Sequence, residues 1–168
     1  MRAIIYTSNT GSTAEYAQLL GKELNLPVHS LQQAKNEVPA GSEIIYLGWI
    51  MAGGIKGYKE AAKLYKVRAV CGVGMGQTGT QLKEVRDKNA IPQRIPLFTL
   101  QGNFDVKKLH GIYRFMMNVM VKTAGKGLAN KTDRTPEEDD MLDMMVNGGK
   151  RVSLQNLKAV TEWYKSVY

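Results

Sequence analysis

Near the start of the chain, the seven residues Thr7-Ser8-Asn9-Thr10-Gly11-Ser12-Thr13 carry five hydroxyls and one glycine. They follow a short apolar run, Ala3-Ile4-Ile5-Tyr6, and lead into Gly11 to Leu24, where Ala14, Ala17, Leu20 and Leu24 recur at helical spacing. A helix that begins here presents backbone N–H groups without intrahelical acceptors, and its dipole favours negative charge at that end. Hydroxyls gathered around such an end form a phosphate cradle that needs no lysine. The plainer reading is a helix cap, for which Ser and Thr are preferred. Five hydroxyls in seven residues are more than a cap uses, which favours the phosphate reading. The loop is no Walker motif, since no Gly-Lys-[Ser/Thr] follows, and it lacks the Gly-x-Gly-x-x-Gly of dinucleotide sites.

Two more loops have the composition of ligand-binding segments. Gly48-Trp49-Ile50-Met51-Ala52-Gly53-Gly54-Ile55-Lys56-Gly57 follows the apolar run Ile44-Ile45-Tyr46-Leu47. Its glycines permit close approach of a flat ligand, on which Trp49 or Met51 could pack. The alternative is that Trp49 packs inward and Tyr58 anchors the next helix. The third loop, Gly74-Met75-Gly76-Gln77, follows Val67 to Val73 and holds no aromatic residue.

The elements that must position these loops alternate in type. Strands are expected over Ala3–Tyr6, Pro27–Leu31, Ile44–Gly48, Val67–Val73 and Pro96–Leu100. Helices are expected over Gly11–Leu24, Tyr58–Tyr65 and Thr78–Asn89, followed by two long helical segments and a closing helix, Ser153–Val167, that buries Leu154, Leu157, Val160 and Tyr164. Alternation of this kind implies an α/β fold of three layers, with a parallel sheet covered on both faces. In such sheets ligands bind outside the carboxyl ends of the strands, where the strand order reverses. All three loops fall there.

With that context, Ser8-Asn9-Thr10-Gly11-Ser12-Thr13 resembles the flavodoxin family, whose hallmark is a [Thr/Ser]-x-Thr-Gly-x-[Thr/Ser] loop directly after the first strand. Every fixed position matches, and the element order over residues 1–101 fits. The resemblance implies a five-stranded sheet of order 2-1-3-4-5 and the cofactor FMN. Ser8, Thr10, Ser12 and Thr13 would offer hydroxyls to its phosphate, and Asn9, Gly11 and neighbouring amides would offer N–H groups. The second loop (Trp49, Ile50, Met51, Ala52, Gly53) and the third (Gly74, Met75, Gly76) would hold the isoalloxazine ring. The missing aromatic residue in the third loop is a departure that leaves one ring face open to a substrate.

The 168 residues, 43% hydrophobic and 23% charged, are the size of one domain and exclude wholesale disorder. We therefore expect a single domain over 1–168, with an extra helical segment at 102–150. One cysteine, Cys71, excludes an internal disulfide framework, and it reads as a small buried hydrophobe. Two distant histidines, His29 and His110, leave little for a metal centre. No targeting segment and no run of about 20 apolar residues is visible, so a soluble, cytoplasmic protein is expected.

Lys and Arg number 23 against 15 Asp and Glu, a net charge of +8 that favours anionic partners. Electron-carrier flavodoxins are typically acidic. Positive charge near the ring would favour an anionic reduced flavin and raise its potential. From Asp105 to Ala124, Leu109, Ile112, Tyr113, Met116, Met117, Met120 and Ala124 form one apolar stripe flanked by Lys107, Lys108, Arg114 and Lys122. Such a stripe is core, pocket lining, or a peripheral contact with anionic membrane. The following acidic stretch, Glu137 to Asp143, reads as a helix N-terminus behind Pro136 or a charge partner for the basic stretch. The layout resembles the basic, membrane-associated protoporphyrinogen dehydrogenase branch of the family, although no catalytic residue of that branch is matched.

The expected activity is therefore that of an FMN-dependent oxidoreductase acting on a small apolar or anionic substrate, such as a quinone or porphyrinogen. The alternative is a single-electron carrier that docks on a redox protein. No nucleic-acid motif accompanies the charge, so a nucleic-acid partner is not expected.

Overall fold

The structure, a computed structural model, describes residues 1–103 and 111–168. Five parallel strands form the sheet: β1 (Ala3–Thr7), β2 (Val28–Ser30), β3 (Glu43–Met51), β5 (Lys66–Gly74) and β6 (Leu97–Gln101). A two-residue strand, β4 (Gly54–Ile55), pairs antiparallel with the end of β3. The order is β2-β1-β3-β5-β6, so the chain reverses direction across the sheet on either side of β1. The expected order of five parallel strands is present, with β4 as an addition.

Period-two alternation of apolar side chains divides the core into two layers. Ala3, Ile5, Ile44, Tyr46 and Val70 point to one face, where α2 (Leu31–Glu37), α3 (Tyr58–Leu64) and α4 (Leu82–Asn89) cover them. Ile4, Ile45, Leu47, Ala69 and Cys71 point to the other, under α1 (Ser12–Leu24) and α7 (Lys158–Val167). A bulge between Ile44 and Ile45 of β3 and Val67 and Ala69 of β5 leaves Arg68 out of register, at an ion-pairing distance of 3.6 Å from Glu43. Full burial of each Ile or Leu here is worth roughly 1.5–3 kcal/mol over exposure.

Several boundaries differ from expectation for local reasons. Leu31 opens α2 instead of closing β2, because Ser30 and Gln33 form a reciprocal capping box. Trp49, Ile50 and Met51 belong to β3 and not to a loop. The turn that follows them is Ala52-Gly53, both with positive φ (47° and 75°), which suits a tight hairpin. Helix α4 begins at Leu82, not Thr78, because Gly79 and Gln81 take left-handed backbone and Thr80 bonds back to the Gln77 carbonyl at 2.7 Å. The closing helix starts with a 3-10 turn, Gln155–Leu157, without a Ser153 cap, and Leu154 is exposed. Leu157 and Val160 are buried as expected.

Between β6 and α7 lie α5 (Gly111–Asn130) and α6 (Pro136–Asn147). Asp105 to His110 and most side chains of the Asp105–Ala124 stripe lie outside the described residues; Val119 and Lys122 are exposed. The acidic stretch forms the helix N-terminus expected of it, and its ion pairs among the described residues are with Lys131, Arg134 and Arg151, outside the basic stretch. Thr135 caps α6, with Glu138 completing the box. Glu138 pairs with Lys131, Asp139 with Arg134, and Asp140 and Asp143 with Arg151. Among the described residues no helix is long and apolar enough to cross a membrane.

Candidate functional site

The carboxyl ends of β1, β3, β5 and β6 gather at one edge of the sheet, and the three loops stand there. Helix α1 starts at Ser12, behind Gly11, whose φ of +106° is open to glycine and strained for other residues. No side chain caps it. The first-turn amides of Ser12, Thr13 and Ala14 have no intrahelical acceptor, as at any helix start. The five hydroxyls therefore do not act as the helix cap that was the plainer reading.

Each hydroxyl has a definite place. The Thr7 hydroxyl lies 2.8 Å from that of Tyr46, which also donates to the Lys56 carbonyl at 2.7 Å. Burial pushes the Tyr46 phenol well above its usual range, against the opposing Thr7 hydrogen bond. Gly57 packs so closely on Tyr46 and Thr7 that a Cβ would collide with both. This cluster ties the first loop to the second. Ser8 accepts from the Gly11 N–H at 3.2 Å, which closes the turn and leaves the Ser8 hydroxyl hydrogen free to donate. Asn9 is exposed and Thr10 half-buried. Thr13 is buried beneath the turn, and Ser12, also buried, accepts from the Asn103 N–H at 3.0 Å.

The second loop is a fixed hairpin. Buried Asn89 accepts from the Ile55 N–H at 2.7 Å and donates to the Gly53 carbonyl at 2.8 Å. Trp49 is half-buried, with the Lys56 ammonium 5.7 Å from its ring centroid. Ile50 fills the space where side chains of Gly72 and Gly74 would stand, so it packs on β5. Met51 and Gly53 are half-buried, and Ala52 is exposed at the tip. In the third loop Gly74, Met75 and Gly76 are half-buried, and Gly76 lies against the Thr80 and Gln81 side chains.

Two residues that sequence reasoning missed join these loops to the helical segment. Asn103 holds Ser12 through its backbone, and its side-chain oxygen accepts from the N–H groups of Arg151 (2.6 Å) and Val152 (3.0 Å). Gln101 donates to Asp140 of α6 at 2.5 Å and lies 3.5 Å from the Met75 carbonyl. Nothing local marks either residue, since their partners stand 23 to 91 positions away.

Among the described residues no group of three His, Cys, Asp or Glu is placed to hold a metal ion. Burial pushes the Cys71 thiol up to about 12, so it is neutral and inert at ordinary pH. The edge thus brings together backbone N–H groups, hydroxyls and glycine-lined surfaces. Comparison with models of known families, with curated proteins and with solved structures finds no match for this chain.

Proposed function

We propose that this protein is a flavodoxin-like, FMN-binding oxidoreductase that passes electrons through the flavin to or from a small apolar or anionic substrate, such as a quinone or porphyrinogen. The observation that carries this reading is the open start of α1. It is a helix end without a side-chain cap, ringed by hydroxyls, at the switch point beside β1. The amides of Ser12, Thr13 and Ala14, with the hydroxyls of Ser8 and Thr10, fit a phosphate monoester. Ser12 contributes its amide, because its hydroxyl is engaged with Asn103.

The ring would lie between the β3–β4 hairpin and the Gly74–Gly76 turn, whose backbone groups suit its polar edge. FMN supplies the hydride or electron transfer when bound; the protein supplies position and electrostatics. Trp49 and Lys56 stand on the hairpin side. The third loop offers no aromatic cover, which leaves a face for substrate. The net charge of +8 draws anionic substrates and suits contact with an anionic membrane surface.

The test is the visible spectrum of the purified protein, with mass identification of the released cofactor, followed by turnover across a quinone panel. FMN with quinone turnover is expected. FMN without turnover on any small acceptor would replace the enzyme with a carrier serving a protein partner. A colourless protein that takes up no added FMN would overturn the reading.

A further inference from the structure

The segment between β6 and α7 is attached to the sheet at the very turn proposed to hold phosphate. Asn103 is the last described residue before it, and Arg151 and Val152 follow its return. All four polar groups of Asn103 are used. Its N–H donates to Ser12 Oγ at 3.0 Å, and its carbonyl lies 3.4 Å from the same hydroxyl. Its side-chain oxygen takes the amides of Arg151 and Val152, and its side-chain nitrogen donates to Glu15 at 3.2 Å. Glu15 is the acidic residue in the first turn of α1, where its charge opposes an incoming anion. A second tie runs beside it. Asp140 of α6 receives Gln101 and Arg151 together, and Gln101 also reaches the third loop.

We infer that Asn103 is a positioning residue that couples occupancy of the phosphate turn to docking of the α5–α6 arm. The inference rests on the FMN reading for its ligand. An anion on the first-turn amides fixes the backbone at Ser12. Ser12 fixes Asn103, and Asn103 fixes the point where the arm returns, while its amide partly satisfies the Glu15 carboxylate. Coupling of this kind is reciprocal: whatever factor arm docking lends to ligand affinity, the ligand lends to arm docking.

The experiment is hydrogen exchange on the full chain with and without FMN, alongside FMN titration, for wild type, Asn103→Ala and Asn103→Asp. The aspartate keeps an acceptor for Arg151 and Val152 and loses the donor to Glu15. In wild type FMN should slow exchange at the α1 start and also at 136–152. Asn103→Ala should weaken FMN about tenfold and confine FMN protection to the α1 start. Asn103→Asp should restore FMN-linked protection at 136–152 while affinity stays reduced. Equal protection of 136–152 by FMN in Asn103→Ala, or none in wild type that binds FMN, overturns the coupling. If no FMN binds, the cofactor reading fails and the coupling is judged on the free protein. Asn103→Ala must then speed exchange at residues 12–15 and 151–152 together, and a change at one site alone overturns it. Should Asn103→Ala not fold, Asn103→Asp decides: FMN-linked protection kept at 136–152 with reduced FMN affinity is expected, and unchanged affinity or protection confined to the α1 start overturns the coupling.

Discussion

Helices α1 and α6 begin in opposite ways. At α6 the chain supplies its own cap. The Thr135 hydroxyl accepts from the Glu138 N–H at 3.3 Å, and the Glu138 carboxylate accepts from the Thr135 N–H at 2.9 Å. Pro136 removes a donor at the first turn, and Lys131 holds Glu138 in place at 2.8 Å. Helix α2 is closed in the same manner by Ser30 and Gln33. At α1 a glycine in left-handed backbone stands where the cap would be, and hydroxyl residues on either side leave the end open. A cap is worth about 1 kcal/mol, so an open end is a standing cost unless something binds there. Helices α3 and α4 also begin without a side-chain cap, so what sets α1 apart is an open end with hydroxyl residues on both sides of its glycine, which is the feature the proposed ligand would use.

The largest effect should come from filling the open end. At a hundredfold excess over its Kd, FMN should stabilise the protein by about 2.7 kcal/mol in denaturant titrations. Gly11→Ala should abolish that gain and cost about 1–3 kcal/mol by itself through backbone strain. An undiminished FMN gain in Gly11→Ala would move the ligand elsewhere.

Cys71 reports the same opening chemically. Its thiol, buried in β5 and pushed up to about 12, should resist alkylation in native protein and react once the sheet opens. Saturating FMN should slow that reaction by about the factor expected from its stabilisation, while rapid labelling of native protein would contradict the burial.

A smaller effect belongs to the closed end. Thr135→Ala should cost about 1 kcal/mol of stability and leave FMN affinity unchanged; a parallel fall in affinity would erase the distinction between the two ends. The smallest effect is on pH dependence. The Lys131 hydrogen bond, and then that from Thr135, hold the Glu138 carboxyl below the usual glutamate range. A depressed value means the stabilisation is complete above that range and is lost as pH falls through the folded value. Circular dichroism should show α6 loosening at the acid end. Glu138→Gln should flatten that change and leave the α1 end untouched.

Much of this layout was readable from the chain. The five strands and α1 declared themselves because buried parallel strands are continuous apolar runs and α1 keeps a strict apolar face. Helix α2 was missed although Ser30-x-x-Gln33 is a start signal, because seven residues carry too little periodicity to outweigh the preceding strand. The glycines at 53, 54 and 57 suggested a loop, yet Trp49 and Ile50 are strand formers and the Ala52-Gly53 pair is a hairpin turn. Of the candidate site, the first loop was legible as a pattern of hydroxyls. The engagement of Ser12 with Asn103 was not, nor was the packing of Ile50 on Gly72 and Gly74, because both depend on contacts that only the folded sheet creates.

The meeting of Arg151 and Val152 on the Asn103 side chain has a consequence for how this protein can change. The chain departs from the sheet at Asn103 and rejoins it on that residue's own side chain, with a second tie from Gln101 to Asp140 beside it, so helices α5 and α6 form a cassette. A cassette anchored in this way can be lengthened, trimmed or exchanged without moving a strand, because its two attachment points are already neighbours. Recognition of different substrates or surfaces can diversify there while the sheet edge stays constant. Helices α5 and α6, between those attachment points, are accordingly the part of this scaffold most open to change.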